Sequence, residues 1–181
     1  MKKIHCCLFV AIICFAACER PSKSLKVVND DTLLAKKKKP DSLLILSYKD
    51  FQISNIKLGD NSKELYKIGQ ADSIILKTSD FDIPDLKRYY VKKSYFEIDT
   101  DKTIYGFDIV DSSYIINPFN IKVGDKLPVV INKLHSYINP KDEWGGLSDN
   151  KLRIRIGSSD DYLIFTFNKG ILDEYETWSD E

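Results

Sequence analysis

Three hydropathy regimes divide the chain. Residues 6–17 form an unbroken apolar run of twelve behind Lys2 and Lys3, residues 19–41 are mostly polar with no sustained period, and from 42 onward apolar positions recur periodically. The first run is too short for a retained bilayer span, which needs about 20 residues. With its positive flank it reads as the core of a cleavable signal. The polar stretch, with Pro21, Pro40 and the lysines at 36–39, reads as a tether. The pattern therefore divides the chain into a signal at 1–17, a tether at 18–41 and a folded domain at 42–181.

Within that domain, Asn61 and Glu64 have capping-box spacing and Gly69 is a natural stop, predicting a helix over 61–69. Apolar residues at 127, 130, 131, 134 and 138 keep helical spacing, with Pro128 in the first turn and Asn139-Pro140 at the end, predicting a second helix over 127–138. Alternating segments at 94–98 and 103–110, and at 162–167 and 171–177, flank turn residues and predict two hairpins. Further strands are expected at 73–77, 89–92 and 152–156.

A repeat organises these elements. Asn55-Ile56-Lys57-Leu58-Gly59-Asp60 returns 65 residues later as Asn120-Ile121-Lys122-Val123-Gly124-Asp125, five of six positions being identical. Gly59-Asp60 and Gly124-Asp125 are thus expected in equivalent turns, each opening a helix that antiparallel strands follow. The order predicts an α+β fold of two tandem helix-plus-antiparallel-sheet repeats, at about 51–115 and 116–178, with helices on one face of a sheet.

Charge and cysteine usage narrow the function. Losing Lys2 and Lys3 with the signal leaves 25 basic residues against 27 acidic ones, which argues against a nucleic-acid partner. All four cysteines (6, 7, 14 and 18) lie in or at the end of the signal, so no disulfide framework, thiol nucleophile or cysteine metal site is expected in the domain. Phe15-Ala16-Ala17-Cys18 resembles a lipobox. That resemblance implies cleavage ahead of Cys18, lipidation of Cys18 and an extracytoplasmic protein held on a bacterial membrane, the outer one if the cell has one; two or three acyl chains suffice for lasting attachment. Lys36 to Lys39 can reach anionic headgroups, but a solvated spacer is the simpler reading.

The repeats resemble the module of the small outer-membrane assembly lipoproteins of the SmpA/OmlA type, and its tandem version in β-lactamase-inhibitory-protein-like domains. The resemblance rests on Ile56-Lys57-Leu58-Gly59, the Ile68-Gly69 ending and Phe165-Thr166-Phe167-Asn168-Lys169-Gly170-Ile171. The aspartates after the turn glycines, Ala71 after the first helix and the missing glycine after the second depart from that pattern. The resemblance implies protein binding through the sheet face and loops, with no catalytic residue to carry over.

Chemical motifs are sparse. No phosphate-binding glycine loop, G-x-S-x-G or H-E-x-x-H occurs. Asp99-Thr100-Asp101 begins like a calcium loop, yet Lys102 and the missing closing glutamate favour a hairpin turn. Asp80, Asp82 and Asp85 read as a solvated loop, and His135, alone after the signal, as a boundary residue. No enzyme, cofactor or metal is expected. The segment 139–151 has no counterpart in the first repeat, and its Trp144-Gly145-Gly146 is the candidate partner contact. Packing of Trp144 over the sheet is the favoured alternative, and Trp178 is expected to pack. The expected function is protein binding in envelope assembly or maintenance; the rival reading is an inhibitor or immunity lipoprotein that neutralises a toxin or hydrolase, and a weaker one is an enzyme.

Overall fold

The computed structural model describes residues 43–77 and 86–179. Short β1 (Gln52–Ile53) leads to a 3-10 helix (Ser62–Ile68), then β2 (Ser73–Lys77), β3 (Leu86–Val91), β4 (Ser94–Ile98) and β5 (Ile104–Ile109). The second half repeats the order with β6 (Ile116–Asn117), helix α1 (Leu127–Leu134), β7 (Gly146–Ser148), β8 (Lys151–Ile156), β9 (Asp161–Asn168) and β10 (Ile171–Ser179). Eight strands join one antiparallel sheet in the order β2-β3-β4-β5-β10-β9-β8-β7, and β1 pairs with β6.

The expected α+β class is corrected. Strands occupy 45% of the described residues against 12% helix, so this is a β-rich fold and not two helix-plus-sheet repeats. Both helical segments fall short for local reasons. Between Asn61 and Gly69 only Leu65 is buried, too little apolar surface to stabilise a regular α-helix, and the segment settles as 3-10. The Asn61 carboxamide oxygen still accepts from Lys63 N at 3.0 Å, whereas Glu64 turns to Lys67 and leaves the capping box half made. Helix α1 buries Val130, Ile131 and Leu134 and stops there; Tyr137 N bonds Leu134 O at 2.8 Å, and Ile138 reaches the core just after that turn.

The two hexapeptides share their backbone geometry. Gly59 and Gly124 sit at φ 87° and 97°, where a side chain is strained. Their amides donate to Ile104 O and Leu172 O, both at 2.8 Å. Asp60 and Asp125 close the turns, each amide donating at 3.1 Å to Lys57 O or Lys122 O. Their carboxylates accept from the amides of the same lysines at 2.9 and 3.3 Å. Each turn is thereby tied to the start of β5 or β10, the two strands along which the halves of the sheet meet.

That seam is narrow: Ile109 faces Tyr175 and Asp108 faces Glu176. Alternation sends the first pair to the core side and the second to the opposite side. On the core side, Phe96, Phe107, Tyr175 and Phe165 form an aromatic row, with successive centroids 6.5, 6.2 and 6.3 Å apart. Leu65, Val130, Ile131 and Leu134 join the same core. Burial of this row holds the seam together, while the opposite face is left for other chemistry.

Candidate functional site

The sheet's second face aligns six residues from six strands in one row, five of them polar or aromatic. The register aligns Tyr90 (β3), Tyr95 (β4), Asp108 (β5), Glu176 (β10), Ile164 (β9) and Arg153 (β8). Ile164 is buried yet lies outside the main core cluster. At the β3–β4 end, Arg88 Nε donates to Glu97 at 3.0 Å and its guanidinium lies 4.4 Å from the centroid of the Tyr95 ring, while the Tyr90 and Tyr95 rings meet at a tilt with centroids 5.3 Å apart.

At the centre, Asp108, Glu174 and Glu176 bring carboxylate oxygens within 4.8 Å of one another. A bulge between Leu172 and Glu174 sets Glu174 opposite Thr166. Lys151 approaches Glu176 at 3.8 Å. Burial raises Asp108 to about 7, aided by a hydrogen bond and repulsion from Glu174 and by repulsion from Glu176; burial and Glu174 likewise raise Glu176. Asp108 therefore holds its proton far more tightly than an exposed carboxylate. The trio has the ligand type and spacing to hold a hard cation.

At the β8–β10 end, Arg155 organises a corner. Its Nε and a terminal nitrogen each donate to the Asp142 carboxylate at 2.8 Å, and its other terminal nitrogen donates to Asp160 at 2.6 Å. The guanidinium lies 4.9 Å from the centroid of the Tyr162 ring, which neighbours Trp178 at 6.2 Å. The Arg155 hydrogen bonds hold Asp142 below the usual carboxylate range. Asp142 also accepts from Trp144 N at 3.2 Å. The bidentate pair thus clamps the 139–145 loop to β8, and a Cβ on Gly145 would lie 2.7 Å from Asp142 Cγ, so any larger residue there must displace Asp142.

The favoured packing of Trp144 is overturned. The residue is 69% exposed, while Asp142 two positions earlier turns to Arg155 and accepts from the Trp144 backbone amide. Trp178, expected to pack, is 43% exposed and rests only against Tyr162 among the ring contacts. Gly146 begins β7 at φ 85°.

Other expected positions fall elsewhere. Asp99 Oδ1 accepts from Thr103 N at 2.8 Å in a hairpin turn. His135 is exposed, with Nδ1 2.9 Å from Asn132 O. Cys18, the 36–39 lysines, Asp80, Asp82 and Asp85 lie outside the described residues. Sequence reasoning missed Arg155, Asp142 and the carboxylate trio. The available signal for Arg155 was the LRIRI alternation, which sets Arg153 and Arg155 on the face opposite the core; nothing local links Asp108 to Glu174. Comparison with protein-family models, with curated proteins and with solved structures finds no match to this chain.

Proposed function

We propose that this chain is a membrane-anchored, extracytoplasmic protein-binding module that docks a partner on the second face of its sheet, in envelope assembly or maintenance. The observation that carries the reading is the composition of that face. It presents Tyr90, Tyr95 and Trp178 beside two arginines lying over tyrosines, and the loop that the bidentate Arg155–Asp142 pair ties to it carries the exposed Trp144. Tyrosine, tryptophan and arginine are the residues in which interface binding energy concentrates. Fixing them before contact lowers the ordering penalty of association. The lipobox-like segment ending at Cys18 supports the anchor.

Two variants test the two halves of the reading. Cys18→Ser leaves a folded chain and moves it out of the membrane fraction; tight retention contradicts the anchor. Trp178→Ala, with unchanged circular dichroism, reduces recovery of chemically cross-linked partner from intact cells by about tenfold or more. Undiminished recovery contradicts docking on this face. Mass spectrometry of the captured species separates the two classes of partner: an outer-membrane β-barrel belongs to assembly, a toxin or hydrolase to inhibition or immunity.

A further inference from the structure

The two edges of the sheet are built differently. β7 is three residues long and starts at a glycine with positive φ, which blunts it as a pairing template. β2 is five residues long, runs in unbroken register along β3, and has no further strand on its outer side among the described residues. All five of its residues are exposed, with Ile74, Ile75 and Leu76 at 61, 51 and 52%. No proline or bulge interrupts it, and its only charge is Lys77 at the end. An edge of this kind leaves a row of amide and carbonyl groups free and flanks them with uncovered apolar side chains.

The strand is also complementary to itself. In an antiparallel pairing centred on Ile75, Ile75 meets its own counterpart, Ile74 meets Leu76, and Ser73 meets Lys77. Every apolar residue then faces an apolar one, and no lysine of β2 opposes the lysine of the other copy. Directly opposed residues share a face, so Ile74 and Leu76 of both copies gather on the core side and the two Ile75 side chains on the other. The hydrogen-bond ladder closes whether Ile75 occupies a bonded or a non-bonded site, because a residue-centred two-fold preserves either alternation. We propose that a second copy of this chain pairs with β2 in this register, making the two sheets continuous. The contact is isologous and closes at two copies.

Cysteine scanning of the full chain tests the register. Opposed residues on an antiparallel pair have Cα atoms about 4.5–5.5 Å apart, within disulfide reach. Under mild oxidation in intact cells, Ile75→Cys is expected to yield a residue-75-to-residue-75 disulfide peptide. Ile74→Cys and Leu76→Cys each link to themselves several-fold less, yet link to one another when co-expressed. Absence of the 75–75 link, equal linking at all three positions, or linkage of residue 75 to a different protein each overturns the proposal. The last outcome would identify strand addition by a foreign partner. The Ile75 side chains lie at the β2 edge of the second face, and none of these readouts requires Trp144 or Trp178.

Discussion

Replacing Asp108 by asparagine will stabilise the protein at and above neutral pH and do little in acid. Asp108 faces Glu176 across the β5–β10 seam, and burial together with the neighbouring Glu174 and Glu176 carboxylates raises its pKa from 3.8 to about 7. A group that binds its proton more tightly folded than unfolded favours the fold while both states are protonated. That support is lost as pH rises from about 4 to about 7. At about 1.4 kcal/mol for each tenfold change in proton affinity, the ceiling on the loss is about 4 kcal/mol. Asp108 keeps part of its surface in water and Lys151 stands near Glu176, so solvent screening reduces the expected effect to about 1–2 kcal/mol. Asparagine has nearly the same shape without the charge. Urea unfolding of both chains at about pH 4, 6 and 8 should therefore show the variant's advantage growing with pH and levelling off above about 7. Equal stabilities at all three values, or an advantage largest in acid, would refute the reasoning.

Three further perturbations follow from the geometry. Trp144→Ala should change unfolding by no more than about 0.5 kcal/mol while weakening partner capture by about 2 kcal/mol or more; a large stability loss in denaturant titration would return Trp144 to the core. Gly145→Ala places a methyl against Asp142 Cγ at 2.7 Å, and strain plus a weakened Arg155 pair should lower stability by about 1–3 kcal/mol; unaltered thermal melting would show that the clamp is not rigid. A Cβ at Gly59 or Gly124 meets no atom within 4 Å, but valine there must adopt φ near 90°, so each variant should lose at least ~1 kcal/mol through backbone strain. Unchanged melting of both would contradict the shared turn geometry.

Local order was readable in the sequence where period-two alternation was strong. LRIRI became β8 with Leu152, Ile154 and Ile156 inward, and the segments around Asp99–Lys102 and Asn168–Gly170 became the β4–β5 and β9–β10 hairpins. Helical content was over-read at both sites. Capping spacing at Asn61 and Glu64 signals where a helix starts but not whether enough apolar surface follows, and one buried leucine does not suffice. The union of eight strands in one sheet was not legible, because the β5–β10 pairing joins residues 65 or more positions apart that carry like charges on one face. The site shared that obscurity. Asp142 and Arg155 look like ordinary surface charges until β8 folds beside the loop, and Trp144 stays exposed against the usual tendency of tryptophan to bury.

The central claim is that the second face of the sheet receives a protein partner. Its most direct test is a photo-crosslinking amino acid placed singly at Arg153, Trp178 and Trp144 on that side, and at Val129 on the exposed side of α1, with irradiation of intact cells. Crosslinks to one common partner from the first three positions, and none from Val129, are the predicted result. Crosslinking from Val129 alone, or with equal yield from all four positions, would contradict the claim.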